Sequence, residues 1–238
     1  MSKNGKKILI IIPAYNEEEN ILKTYNSIIN YKEKKYDVIV INDGSKDNTE
    51  KILCENKIPH IRLIQNLGIG GAMQTGYKYA LENGYDIAVQ FDGDGQHDIN
   101  YVKNIVKPII DQNANMVIGS RFINKDKDNF KSTLARRIGI LMISLVIKLK
   151  TNKKIFDTTS GFRAVDKKII EYFANNYPLE YPEPISTVDV LLQGLKVNEV
   201  PVKMLERTGG VSSITSWKTI YYMLNVTLSI LIQKRREK

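Results

Sequence analysis

One cysteine, one tryptophan and two histidines are all that 238 residues contain of these types. With Cys54 alone, no intrachain disulfide and no multi-cysteine metal cluster can form, which suits a reducing compartment. No apolar run reaches the roughly 18 residues that a membrane-spanning helix requires. The basic start, residues 1–7, leads into a short apolar stretch, 8–12, that Pro13 and the acidic Glu17, Glu18 and Glu19 cut off. That is too short for a signal peptide, so a cytoplasmic protein is expected. Hydrophobic residues at 42% and charged residues at 26% exclude disorder and match an ordinary globular chain. A chain of this length buries a sizeable core without covalent staples, as one α/β domain or two small ones.

What is abundant is positive charge, and it is unevenly placed. The formal net charge is +9. Segment 124–154 holds nine Lys/Arg against Asp126 and Asp128, and the tail 234–238 is basic as well. Both segments lie beside apolar stretches, 138–147 and 220–232, a pairing that favours an anionic membrane surface over nucleic acid. Two other readings stay open: both stretches are core helices with solvated basic ends, or 220–232 docks on the membrane helix of a small partner protein. Residues 216–238 are accordingly expected to form a C-terminal amphipathic helix and basic tail, separate from a catalytic domain over 1–215.

Along the chain, β-branched runs alternate with helical patterns. Strands are expected at 7–13, 37–41, 61–64, 86–91 and 115–118, with helices after Asn16, through about Asn56, over 72–82 and over 99–112. Such alternation means a mostly parallel central sheet with helices on both faces. Ligands of open sheets bind beyond the carboxyl ends of the strands, where Pro13, Asp43, Asn66 and Asp92 fall. The second half is less regular. A basic apolar helix is expected over 133–150, a turn-rich stretch over 157–163, a helix from about Asp166, a loop at 181–184, a helix over 188–194, a last strand over 198–204 and a terminal helix over 216–233.

Asp92 and Asp94 are the sharpest chemical signal. Two carboxylates two residues apart at a strand end can offer hard oxygens to one divalent cation, although Asp-Gly-Asp-Gly also suits a plain turn. A calcium hand is excluded by His97 and Lys103 where Gly and Glu are required. The run Gly68, Ile69, Gly70, Gly71 fails the dinucleotide fingerprint because Met73 stands where its third glycine belongs.

Five blocks resemble the family 2 glycosyltransferases in order and spacing: IIPAYNEEENI at 11–21, VINDGSKDNT at 40–49, NLGIGGAMQTGYKYAL at 66–81, QFDGDGQH at 90–97 and DTTSGFRA at 157–164. GSRF at 119–122 and ERTGGVSSI at 206–214 are similar to the subgroup acting on dolichyl and polyprenyl phosphates. The resemblance implies an α/β chain of GT-A fold, the nucleotide-diphospho-sugar transferase fold, with a nucleotide-binding half over about 1–120 and an acceptor half over about 121–215. It implies a metal-dependent, inverting transfer of a hexose or N-acetylhexosamine from a nucleotide-sugar donor, UDP favoured, to polyprenyl phosphate. The enzyme would sit peripherally on the inner face of the cell membrane and serve cell wall polysaccharide synthesis.

By the same resemblance Pro13, Tyr15, Glu17, Asp43, Gly68, Asp92, Gly93 and Ser160 would bind the nucleotide sugar. Asp92, Asp94 and Gln96 would hold Mg2+ or Mn2+, while His97 is more simply a hydrogen-bonded structural residue. Arg121, Arg136, Arg137 and Arg163 would receive the acceptor phosphate, since guanidinium grips phosphate oxygens in two places. Arg207 and Ser212 match a loop that closes over the donor, with Gly209 and Gly210 giving it backbone freedom. Catalysis would rest on Asp94, Arg121, Arg207 and, if a base is needed, Glu183. Two departures stand out: Ile69 replaces a frequent lysine, and Asn42 replaces the first of two consecutive aspartates.

Whether a base is needed depends on the acceptor. A sugar hydroxyl is about as weak an acid as water, at a pKa of roughly 15.7, whereas the second pKa of a phosphate monoester is roughly 6. The gap of about 10 units, at 1.36 kcal/mol each, is roughly 13 kcal/mol of deprotonation that a phosphate acceptor does not require. Glu183 in YPEP stands about where sugar-to-sugar transferases keep a base, with Asp189 a poorer second. A polysaccharide glycosyltransferase, rhamnosyl or glucosyl, is therefore the alternative. A nucleotidyltransferase would need a glycine-rich, lysine-bearing N-terminus that IIPAYNEEE lacks, and a mere binding module could dispense with Asp92 and Asp94.

Overall fold

The structure, a computed structural model, describes residues 5–123, 134–205 and 216–233, with side chains from 139 and from 223 in the last two segments. In chain order the elements are β1 (Ile8–Ala14), α1 (Ile21–Ile29), β2 (Asp37–Asn42), α2 (Thr49–Glu55), β3 (His60–Arg62), α3 (Gly68–Glu82), β4 (Ile87–Gln90), α4 (Val102–Ile110), β5 (Met116–Ser120), α5 (Leu134–Thr151), β6 (Arg163–Asp166), α6 (Lys167–Asn176), α7 (Pro182–Leu192), β7 (Val197–Pro201) and α8 (Ser216–Ile232). One sheet of seven strands runs in the order β3-β2-β1-β4-β6-β5-β7. Strands β1 to β4 pair in parallel, as do β5 and β7, while β6 lies antiparallel between β4 and β5.

The β-branched runs explain the sheet's centre. All seven residues of β1 are buried, and their side chains alternate between two cores. Leu9 and Ile11 face the core that includes Tyr77, Phe173, Val188 and Val226. Ile8, Ile10 and Ile12 face the one built with Ile28, Leu53, Val102 and Ile105. Helices therefore cover both faces, as the alternating pattern requires.

Three elements differ from the sequence reading. Strand β6 falls where a turn and a helix start were expected, because four residues between irregular neighbours carry too little periodicity to stand out. Asp166 closes that strand and caps α6, its carboxylate accepting the Ile169 N–H at 3.0 Å. Helix α7 starts at Pro182, six residues before expectation, so Glu183 lies in a helical first turn and not in a loop. Proline is tolerated there because the N–H groups of a first turn have no helical partner to lose. The run Gly68–Gly71, expected to open the helix ahead of Ala72, is itself the first turn of α3.

Helices α5 and α8 are each only half buried. Ile140, Ile143 and Ile147 of α5 and Val226 and Ile230 of α8 are buried, whereas Leu141, Met142, Leu145, Leu149, Leu224, Leu228, Leu231 and Ile232 are exposed. Each helix thus carries an inner stripe that packs and an outer stripe that is open. Among the described residues no helix is long and apolar enough to cross a membrane.

Helix α3 sets the height of the strand ends that follow it, and its seat is tight. A Cβ added at Gly76 would lie 2.4 Å from the Ile11 methyl carbon in the middle of β1. Gly76→Ala should therefore lower the free energy of unfolding by about 1–3 kcal/mol through overpacking, measured by urea denaturation. An unchanged midpoint would show that α3 is not held this closely.

Candidate active site

The carboxyl ends of β1, β2 and β4 open into a cleft of about 460 Å³. Pro13, Tyr15, Glu17, Asp43, Gly68, Ile69, Asp92, Gly93 and Asp94 line it, together with Ala14, Asn66 and Ala72. Seven of the residues expected to bind the nucleotide sugar thus share one wall with Asp94. Parallel strands produce this arrangement, since every loop leaving their carboxyl ends emerges on the same side.

Hydrogen bonds stitch the loops together. Asn16, held at φ 55°, accepts the Lys46 N–H through its side chain at 2.8 Å, and its own N–H donates to Ser45 Oγ at 3.0 Å. The Glu17 N–H donates to Thr49 Oγ1 at 2.9 Å. Asp43 is buried, and its Oδ1 accepts the Leu67 N–H at 2.7 Å at the start of α3. Burial pushes its carboxyl up, an effect that the N–H groups of Leu67 and Gly68 oppose.

Asp92 and Asp94 sit on the turn after β4, whose reversal uses Gly95 at φ +76°. Asp94 Oδ1 accepts the Gln96 N–H at 3.1 Å, and the Gly93 carbonyl accepts Thr24 Oγ1 at 3.0 Å. Asp92 Oδ1 accepts from Gln90 Nε2 at 3.2 Å. About a third of the Asp92 side chain, 35%, stays accessible although it is sunk among protein atoms. Burial pushes its carboxyl up, opposed by the Gln90 amide and by the charges of Arg163 and Arg121.

His97 holds this turn from behind. Its Nδ1 accepts the Asp92 N–H at 3.0 Å, which puts the proton of the neutral ring on Nε2, 3.5 Å from Asp92 Oδ2. The ring stacks on Phe162 at 4.6 Å and meets the edge of Phe91 at 5.3 Å. Burial drives its pKa down to about 4, so the ring is neutral at pH 7. It is the hydrogen-bonded structural residue expected. Gln96, expected among the metal ligands, does not line the cleft, and its carbonyl accepts the Leu205 N–H at 2.8 Å.

Two expectations are corrected. Ser160 is wholly buried and its hydroxyl donates to the Gly119 carbonyl at 2.7 Å, so it joins β5 to the 157–162 turn instead of reaching a donor. Arg163 is also 0% exposed, with Nε and one terminal nitrogen on the Ser160 carbonyl and the other on the Glu183 carbonyl and Ser186 Oγ. A guanidinium occupied in this way cannot receive an acceptor phosphate. Arg121 is clasped by Asp157 through both its Nε and a terminal nitrogen, each at 2.7 Å, with Thr159 Oγ1 at 3.0 Å. Arg136 and Arg137 lie in the first turn of α5, with side chains outside the described residues, and Arg207 and Ser212 lie outside them altogether.

Glu183 does not line the cleft. Burial pushes its carboxyl up, and the Asp92 charge adds to that, against the opposing charge of Arg163. Its place in the first turn of α7 brings the helix dipole to bear on a negative side chain.

The model of glycosyl transferase family 2 matches residues 9–173, well over half of the chain. The chain belongs to family 2 of the glycosyltransferases. Among its relatives is the UDP-N-acetylglucosamine--dolichyl-phosphate N-acetylglucosaminyltransferase of Methanococcus voltae, 34% identical over 92% of this chain and 95% of that one. The undecaprenyl-phosphate mannosyltransferase of Micrococcus luteus is 28% identical over 93% of both chains. In fold the chain is similar to glucosyl-3-phosphoglycerate synthase of Mycobacterium tuberculosis, crystallised with Mn2+, UDP-glucose and phosphoglyceric acid. The TM-score is 0.70 at 18% identity, covering 94% of this chain and 81% of that one. The expected GT-A fold is therefore the observed one, and the chain is a glycosyltransferase similar to enzymes of dolichyl and undecaprenyl phosphate.

Within this family 2 site, Gln90 and Asp157, given no role from sequence, and Gly161, in a block expected to line the site, stand against the expected site residues. Gln90 and Asp157 position Asp92 and Arg121, and Gly161 presses on the Asp92 carboxylate. A Cβ at Gly161 would lie 2.7 and 2.9 Å from the two Asp92 oxygens and 2.8 Å from Gln90 Nε2. All three stand inside or next to matched blocks, but only the fold brings 161 against 92. Because the obstructed atoms are the ends of side chains, Gly161→Ala should fold with a circular dichroism spectrum like that of the wild type. It should lose on the order of 100-fold in kcat/KM, the scale of a 1 Å misplacement. Wild-type kcat/KM in this variant would remove the carboxylate's exact seat from the reaction.

Proposed function

We propose that the protein transfers a hexose or N-acetylhexosamine from a nucleoside diphosphate, UDP favoured, to a polyprenyl phosphate with inversion at the anomeric carbon. The observation that carries this reading is the cleft's composition. Carboxylates that suit a diphosphate-bound cation line it, while the favoured candidate base, Glu183, is not among its lining residues. An acceptor that arrives with an ionised oxygen needs no base in the cleft. Two relatives named for transfer to dolichyl and undecaprenyl phosphate, one of them using UDP-N-acetylglucosamine, support the same acceptor and donor.

Asp92 and Asp94 offer the hard oxygens that Mg2+ or Mn2+ prefers, and both face the cleft where a diphosphate would lie. A cation held there supplies neutralisation of the departing nucleotide. The protein's own residues do the rest. Asp43, Tyr15 and Glu17 line the nucleoside end, Gly68 opens α3 toward the phosphates, and the main-chain bond to His97 keeps Asp92 in place. Arg121, already paired with Asp157, adds positive potential near Asp92, and Arg207 belongs to the segment proposed to close over the donor. The acceptor oxygen attacks the anomeric carbon as the bond from that carbon to the diphosphate breaks.

The outer stripes of α5 and α8 support docking on an anionic membrane, with Lys148 in the last turn of α5 a cation for lipid phosphates, while Lys150 donates to the Leu231 carbonyl at the end of α8. A small membrane-protein partner on α8 is the other use of that stripe. On this reading the enzyme works at the cytoplasmic face as a peripheral protein, with 216–238 as its anchoring element.

A panel of UDP, GDP and dTDP sugars with Mn2+, with and without undecaprenyl phosphate, tests the reaction. Transfer from a UDP sugar to the lipid is expected, and no turnover in any combination would refute it. Asp94→Ala should cost at least about 1,000-fold in kcat while the protein stays folded, because it removes a ligand of the leaving group's counter-ion. Glu183→Gln separates the two acceptors. With polyprenyl phosphate, kcat should fall less than about tenfold, whereas a loss of about 10²–10⁴ would mark general-base catalysis on a sugar hydroxyl, hence a polysaccharide transferase. The first-turn position of Glu183 beside Asp92 is what keeps that second reading in play.

A further inference from the structure

Away from the donor cleft, at the edge of the sheet, three different metal-ligating side chains converge. Glu50 and Cys54 lie one turn apart on α2, and His60 opens β3. Glu50 Oε1 is 3.4 Å from His60 Nε2 and 3.9 Å from Cys54 Sγ, and Cys54 Sγ is 3.9 Å from His60 Nε2. Nitrogen, oxygen and sulfur bound tetrahedrally to Zn2+ at about 2.0–2.3 Å stand about 3.3–3.6 Å apart, so the observed triangle needs to close by only a few tenths of an ångström.

The surroundings orient two of the three ligands. His60 Nδ1 is 2.7 Å from the Ile58 carbonyl, an acceptor, so Nδ1 carries a proton and Nε2 is the nitrogen turned toward the cluster. A backbone carbonyl on the far nitrogen is the support that metal-bound histidines ordinarily have. Glu50 Oε2 accepts from Asn42 Nδ2 at 2.6 Å, which leaves Oε1 directed at His60. A neutral Nε2 and a carboxylate oxygen are both acceptors, and 3.4 Å between them calls for a positive centre: a second proton on His60, or a cation. Arg62 at 3.9 Å from Glu50 Oε1 is a partial answer, but its side chain is 59% exposed and free to swing outward.

We propose that Glu50, Cys54 and His60 bind a borderline-soft divalent cation of the Zn2+ class, with a fourth position open to water. Imidazole and thiolate select such a metal over Mg2+ or Mn2+, which the all-carboxylate cleft suits better. Binding releases the Cys54 thiol proton to solvent and leaves a thiolate on the metal. The cation ties α2 to edge strand β3. Through Glu50 and Asn42 it also braces the end of β2, where Asp43 begins the donor cleft.

Cobalt(II) is the probe, since it reports thiolate ligation by absorption. One equivalent per chain should give a sulfur-to-cobalt charge-transfer band and visible bands of four-coordinate strength. Cys54→Ser and His60→Asn should lose the charge-transfer band, and Asp94→Asn should keep it. In the wild type, equimolar Zn2+ should protect Cys54 from alkylation by iodoacetamide and raise the melting temperature. Absence of the band, its survival in Cys54→Ser, its loss in Asp94→Asn, or alkylation unaffected by Zn2+ would overturn the proposal and leave a protonated His60 paired with Glu50. None of these readouts depends on the transfer reaction.

Discussion

A guanidinium buried to 0% exposure stands at the centre of this structure. Arg163 spends its donors on the carbonyls of Ser160 and Glu183 and on Ser186 Oγ, so β6, the turn before it and the first turn of α7 are tied at one point. Burying a charge in this way is costly unless other charges compensate, and the compensation comes from Asp92 and Glu183, whose carboxyls it opposes in their tendency to protonate. The cleft can hold a partly buried carboxylate because the Arg163 charge lies near enough to favour its ionised form before any ligand arrives. The residue that resembled a phosphate ligand is thus a scaffold for the acidic wall.

The antiparallel strand makes that arrangement possible. β6 enters the sheet from the side opposite to its neighbours, so its first residues lie level with the last residues of β4, and Arg163 pairs in register with Gln90. Gly161, two residues earlier, then comes against Asp92 with no side chain to obstruct it. An all-parallel sheet would have delivered this segment to the opposite end. His97 fixes the same turn from the other side through the Asp92 N–H, packed between Phe91 and Phe162.

The two departures from the family pattern also acquire physical content. Asn42 donates to Glu50 at 2.6 Å, and an aspartate in its place would set two carboxylates within hydrogen-bonding distance. The asparagine therefore goes together with Glu50, and with the Glu50, Cys54, His60 cluster beyond it. Ile69, in place of the lysine that the family resemblance leads one to expect, lines the cleft with a neutral side chain.

Much of the nucleotide half was legible in the chain alone, because buried parallel strands are continuous β-branched runs and the loops after them are short and rich in Asn, Asp and Gly. Pro13, Asp43, Asp92 and Asp94 could be assigned to one cleft from their positions at successive strand ends, since parallel topology leaves them nowhere else to go. The later residues could not be ranked this way. Arg121, Ser160 and Arg163 have side chains whose types suit a phosphate-bearing ligand and Glu183 one that suits a base, but type does not say whether a side chain points into a cleft or into protein. That depends on a four-residue antiparallel strand and on a helix beginning at a proline, both local signals too weak to read. Burial then decided their roles: a buried polar group must satisfy its hydrogen bonds from whatever lies nearest, and what lies nearest is a property of tertiary packing.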